Sequence, residues 1–123
     1  MIPEKLLEVL GFEGVVALVT QGEKGPHVVN TWNSYIKLTE DGRLLTPVGS
    51  MKTTEANLKE DNRVLVTLGS REVQGFHSKG TGFLISGIAK FVFEGHDFDG
   101  MKVNFPWARA IIEIKPDSIT QTL

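Results

Sequence analysis

Residues 83–94 read Phe83-Leu84-Ile85-Ser86-Gly87-Ile88-Ala89-Lys90-Phe91-Val92-Phe93-Glu94 and carry the clearest alternation in the chain. Phe83, Ile85, Ala89, Phe91 and Phe93 fall on one face of an extended segment, with Ser86, Lys90 and Glu94 on the other. Successive side chains of a strand point to opposite sides, so this pattern describes a long strand with one face on a core. Gly87 interrupts the run and marks a bend of the kind a closing barrel needs.

Outward from that strand the pattern repeats. Ala108, Ala110, Ile112 and Ile114 alternate with Arg109, Glu113 and Lys115, Ile111 being the exception. Arg63 to Gly69 is apolar and β-branched enough for a central strand. Val15 to Thr20, Val28 to Ile36 and Arg43 to Val48 read as three more, with turns at Gln21–Pro26 and Glu40-Asp41-Gly42. Gly75 to Gly82 reads as a loop. Short helices fit between: Pro3–Leu10 with Leu6, Leu7 and Leu10 on one side, a helix capped by Thr53 or Thr54 and running to Glu60, and one capped by Asp97 with Phe98, Met101 and Phe105 inward. Short strands, tight turns and small helices indicate a mainly β (α+β) fold: one antiparallel barrel over residues 1–123, with peripheral helices.

Composition narrows the function. Thirteen basic against 15 acidic residues give a net charge of −2, without the electrostatic footprint of a nucleic-acid binder. Cysteine is absent, which excludes disulfides, thiolate metal sites and cysteine nucleophiles. Residues 1–11 lack the apolar run of a signal peptide, and Val15–Val19 is far too short to cross a bilayer. A soluble, cytoplasmic protein with no membrane partner is the expectation. His27, His77 and His96 form no ligand pattern, so no metal site is expected. Ser34, Ser50 and Ser70 have no base that sequence can identify, so no catalytic residue is assigned. The glycine-rich GFHSKGTG at 75–82 lacks the ending of a P-loop, and no dinucleotide fingerprint follows any strand.

The remaining chemistry gathers in two segments, Asn30-Thr31-Trp32-Asn33-Ser34-Tyr35 and Pro47-Val48-Gly49-Ser50-Met51-Lys52-Thr53-Thr54. A helix opening near Lys52 offers unpaired N–H groups, a partial positive charge, two hydroxyls and an ammonium within one turn. Trp32 and Tyr35 supply flat aromatic surface, and Gly49 lets backbone approach a ligand. Alone, each part has an ordinary structural explanation; together they suit a flat aromatic cofactor with a phosphate tail, such as flavin mononucleotide (FMN). In a regular strand Trp32 and Tyr35 would face opposite ways, so a bulge or turn near Asn33-Ser34 is needed to bring both to one ligand.

Ordered matches along the whole chain then resemble the FMN-binding split-barrel family related to pyridoxamine 5′-phosphate oxidase. They are EGVVA from Glu13, QGE and GPH within 21–27, VNTWNSY from Val29, PVG from Pro47, TEAN from Thr54, TLGSR from Thr67, GTGFLI from Gly80, WARA from Trp107 and the closing Gln121-Thr122-Leu123. The resemblance implies a homodimer of six-stranded split barrels, each with one noncovalent FMN near the subunit interface. It implies phosphate contacts from Asn30 and the Lys52-Thr53-Thr54 turn. Trp32, Tyr35 and Trp107 would surround the ring, Thr31 and the Pro47-Val48-Gly49-Ser50 backbone would add polar contacts, and Leu123 would lie over the flavin of the other subunit. The family pattern Gly-Met-His-Lys-Thr appears here as Ser50-Met51-Lys52-Thr53-Thr54, with the lysine one position earlier. The expected function is electron transfer between partner proteins. The alternative is an FMN-dependent oxidoreductase, a flavin reductase or pyridoxamine-phosphate-oxidase-like enzyme, acting on a small molecule.

Overall fold

Along the chain, helix α1 (Glu4–Leu10) leads into a hairpin of β1 (Val15–Gly22) and β2 (Gly25–Trp32). A single 3-10 turn (Asn33–Tyr35) follows, then the two-residue β3 (Lys37–Leu38), β4 (Leu44–Val48) and α2 (Lys52–Glu60). The long strands β5 (Arg63–Gln74) and β6 (Lys79–Val92), α3 (His96–Asn104) and β7 (Ala110–Gln121) complete the chain. This computed structural model describes all 123 residues. The strands form one antiparallel sheet in the order β2-β1-β5-β6-β7-β4-β3.

The sheet curls almost into a closed barrel. Thr31 of β2 and Thr46 of β4, five places apart in the sheet order, lie with their buried hydroxyl oxygens 3.4 Å apart. No ladder joins those strands, so the seam stays split. Inside the curl, Val16, Leu18, Leu44, Val66, Ile85, Ile112 and Ile114 are fully buried, each worth about 1.5–3 kcal/mol. The β6–β7 register slips between Ser86 and Gly87. A Cβ on Gly87 would sit 2.3 Å from the Lys115 carbonyl oxygen, so only glycine admits so close an approach.

A smaller cluster of Leu45, Ile111 and Met101, with Phe98 and Phe105, packs α3 against the outer face of β4 and β7. That cover buries both faces of Ala110–Ile114, which accounts for Ile111 breaking the alternation. Arg43 fastens α3 from beside it, donating to Asp97 at 2.6 Å and Glu113 at 3.2 Å. Asp97 does not cap α3: it lies within the first turn, and Gly95 occupies the cap position.

Other expectations shift in detail. Seven strands form where six were expected, because Lys37–Leu38 adds a short edge pairing to β4. Leu6 and Val9 are the buried pair of α1, while Leu7 is exposed. The expected strand at 28–36 ends at Trp32, where the Asn33–Tyr35 turn begins. Half of residues 75–82 is not loop: β6 starts at Lys79, and 75–78 turn the hairpin. Neither Thr53 nor Thr54 caps α2; Met51 does so in a left-handed conformation, with φ 53° and ψ 44°.

Candidate functional site

The split seam opens a cleft of about 560 Å³ between the free edge of β2, the end of β4 and the start of α2. Its walls are His27, Val29, Asn30, Thr31, Trp32 and Tyr35 on one side and Pro47, Gly49–Thr53 and Trp107 on the other. An edge strand leaves alternate backbone groups unused by the sheet, so β2 offers hydrogen bonds as well as side chains. Three other hollows are similar in size, so volume does not single this one out. Charge does. Each of those carries at least one carboxylate: Glu13 in one, Glu23, Glu60 and Asp61 in another, Asp61 and Asp117 in the third. The cleft has none, and Lys52 is its one formal charge.

The 3-10 turn solves the geometry of Trp32 and Tyr35. By breaking the strand period it brings both to the same cleft. Glu13 holds the turn: its carboxylate accepts the Ser34 N–H at 3.0 Å and the Ser34 hydroxyl at 2.6 Å. Those bonds, the hydroxyl first, hold the Glu13 carboxyl below its ordinary range. Behind the turn, buried Asn33 donates to the carbonyls of Phe12 at 2.9 Å and Gly69 at 3.1 Å, tying the segment after α1 and strand β5 to it.

Tyr35, Phe105 and Trp107 form an aromatic triangle with centroids 5.0–5.8 Å apart. Trp107 also covers Gly49, where a Cβ would lie 3.6 Å from the indole. Lys102 donates to the carbonyls of Pro106 and Ala108, one residue to either side of that tryptophan, at 3.0 and 2.9 Å. Trp32 and Trp107 stay about half exposed, leaving aromatic surface open to a ligand.

The helix opening lies at the far end of the cleft. Its first internal bond runs from the Glu55 N–H to the Met51 carbonyl, so the N–H groups of Lys52, Thr53 and Thr54 have no helical partner. Lys52 and Thr53 line the cleft. Thr54 turns inward, and its buried hydroxyl has no partner. Val48 is fully buried; its carbonyl accepts the Arg109 N–H at 2.9 Å. Leu123 lines instead the hollow containing Glu13, where Thr81 and Gln121 both donate to its main-chain oxygen at 2.8 Å. Within one chain, then, Thr54, Val48 and Leu123 lie off the cleft, while Asn30, Thr31, Trp32, Tyr35, Pro47, Gly49, Ser50, Lys52, Thr53 and Trp107 line it together.

Sequence reading missed His27, Val29 and Met51. The first two continue the face of Thr31 at period two along β2, a signal available once the strand is assigned. It also missed Arg109, whose guanidinium grips the Gly49 and Ser50 carbonyls and Glu55 from behind the wall. That bond from Arg109 is the main reason the Glu55 carboxyl lies below its ordinary range, burial opposing it and the charges of Arg109, Lys52 and Lys59 assisting. No group of three or more acidic or histidine side chains is placed to hold a metal ion, and no helix is long and apolar enough to cross a membrane.

The family model described as pyridoxamine 5′-phosphate oxidase matches residues 2–123. The chain is 54% identical over 123 residues to an FMN-binding protein of Nitratidesulfovibrio vulgaris strain Miyazaki F, covering 100% of both. In fold it is similar to HupZ of Group A Streptococcus, with a TM-score of 0.80 at 17% identity over 98% of this chain and 94% of that one. It is similar also to an FMN-binding protein of Syntrophomonas wolfei, with a TM-score of 0.73 at 16% identity over 98% and 85% of the two chains.

Proposed function

We propose, from the premise that this chain belongs to the pyridoxamine 5′-phosphate oxidase family, that it is a flavoprotein binding FMN noncovalently in the seam cleft and serving as a cytoplasmic electron carrier. The observation that carries the reading is the charge pattern: of the similar-sized hollows, only the cleft joins exposed aromatic rings to a lysine, free helix N–H groups and no carboxylate. Its volume falls in the range of small-molecule sites, about 300–1,000 Å³. Bound FMN would supply one- and two-electron redox chemistry.

The chain's own groups divide the work of binding. Trp32, Tyr35 and Trp107 give planar apolar surface, each aromatic contact adding about 0.5–1.5 kcal/mol beyond burial. Lys52, Thr53, Asn30 and the opening N–H groups of α2 suit the phosphate, at about 1.5–3 kcal/mol for each charge-assisted bond. A few of each, less the cost of ordering, give about −8 to −12 kcal/mol, or micromolar to nanomolar affinity without a covalent link. The 54% identical relative bearing the name FMN-binding protein supports the same ligand.

A homodimer is part of the proposal. On the outer face of the sheet Val28, Val19 and Leu65 form one cross-strand row, and Trp32 and Val15 another. Val15, Val28, Trp32 and Leu65 are exposed there, and neither row carries a charge. Such a face suits a second copy, and through Trp32 it runs into the cleft. Leu123, which does not line its own cleft, is then available to the flavin of the second copy. Sedimentation of the pure protein tests this; a monomer at micromolar concentration would count against it.

Carrier and enzyme are separated by turnover. An oxidoreductase needs room over the ring and a group that exchanges protons; besides Lys52, the cleft offers only His27 and Tyr35 as side chains of the general acid–base type. The expected result is no steady-state oxidation of NADH or NADPH with free flavin, but rapid electron exchange with a redox protein. Sustained catalytic turnover would favour the reductase.

A further inference from the structure

We infer that Arg109 is a positioning residue for the cleft, setting the backbone of Gly49–Met51 to receive a phosphate that the guanidinium itself does not touch. This rests on the reading that the cleft takes FMN. Arg109 Nε donates to the carbonyls of Gly49 and Ser50, each at 3.1 Å. Its Nη2 donates again to Ser50 and, at 2.9 Å, to Glu55. Its backbone N–H donates to the Val48 carbonyl at 2.9 Å. Three consecutive carbonyls are therefore turned onto one residue.

Every peptide bond is trans, and in a trans peptide the carbonyl and the next N–H point in opposite directions. Holding the Gly49 and Ser50 carbonyls on Arg109 sends the N–H groups of Ser50 and Met51 the other way. Gly49, Ser50 and Met51 line the cleft and Arg109 does not, so the other way is the cleft side. Met51 is the one non-glycine residue with positive φ, and it directly precedes the helix. A left-handed residue beside right-handed ones makes successive N–H groups converge on a concavity suited to an anion. The guanidinium is itself braced, by Glu55 and by the Phe91 ring 5.6 Å away. Its planar fork serves two carbonyls and a carboxylate at once, which an ammonium cannot reproduce.

The test compares FMN with riboflavin, which has the same ring and no phosphate, by quenching of flavin fluorescence in wild type and Arg109→Lys. Wild type is expected to hold FMN at least about tenfold tighter than riboflavin, and the variant to lose about tenfold for FMN alone, the equivalent of one charge-assisted hydrogen bond. Equal losses for both flavins would mean a merely structural role and overturn the inference, as would unchanged FMN affinity. A wild type that binds both flavins equally sinks the inference but leaves flavin binding standing; one that binds neither sinks both. If Arg109→Lys does not fold, Glu55→Gln loosens the guanidinium from its brace. A phosphate-selective loss in that variant supports the inference, and no selective loss overturns it.

Discussion

Asn33 gives the sharpest link between the turn and stability. The side chain is buried, and its amide donates to the carbonyls of Phe12 and Gly69. A third contact, to Val9 at 3.4 Å, adds little, since that carbonyl already accepts the Phe12 N–H. Asn33→Ala strands two carbonyls at about 1–3 kcal/mol each. It also removes Asn33 Oδ1, which is buried without a partner, and so relieves about 1–3 kcal/mol of desolvation. The net loss is about 1–3 kcal/mol, or about 3–15 °C of melting temperature for a chain of this size. Asn33→Asp should be worse at neutral pH, because it sets a carboxylate against two carbonyl oxygens. Melting is to be followed without flavin, since a bound ligand would mask the change. Asn33→Ala melting within about 1 °C of wild type, or Asn33→Asp no worse than Asn33→Ala, would refute this reasoning.

Three further outcomes follow from single contacts. Arg43→Met leaves Glu113 buried without its main partner and should cost about 3 kcal/mol in denaturant unfolding, recovered in part by adding Glu113→Leu. Gly87→Ala drives a Cβ into the Lys115 carbonyl and should cost about 1–3 kcal/mol, with the loss of hydrogen-exchange protection centred on β6 and β7. The Glu13 carboxyl lies below its unfolded value, so its stabilisation is present above that value and is lost as pH falls through the lower folded one. Glu13→Gln should therefore flatten the acid limb of the stability profile and leave the neutral-to-alkaline limb parallel to wild type.

What the sequence revealed, and what it hid, follows from the range of each interaction. The alternation of residues 83–94 and 108–115 is local, so both strands were legible, and Gly87 was legible as a bend because only a close backbone approach requires it. Ile111 looked like an exception because its partners, Leu45 and Met101, are distant in sequence. Lys37–Leu38 is too short for any period to register. Trp32 and Tyr35 could be assigned to one ligand only by requiring a break in the strand, and the 3-10 turn supplies it. Neither Thr53 nor Thr54 caps α2, because Met51 starts the helix in a left-handed conformation, moving the cap by two or three residues. Arg109 read as the exposed side of an alternating strand; nothing local shows that it reaches back to Gly49 and Ser50.

The chain contains 2 tryptophans, and both line the cleft, so indole emission reports on it directly. Titration of the purified protein with FMN should quench that emission to a plateau at one FMN per chain, with a dissociation constant in the micromolar range or tighter. Emission that stays unchanged while FMN binds elsewhere, or no binding up to millimolar flavin, would contradict the assignment of the seam cleft as the flavin site.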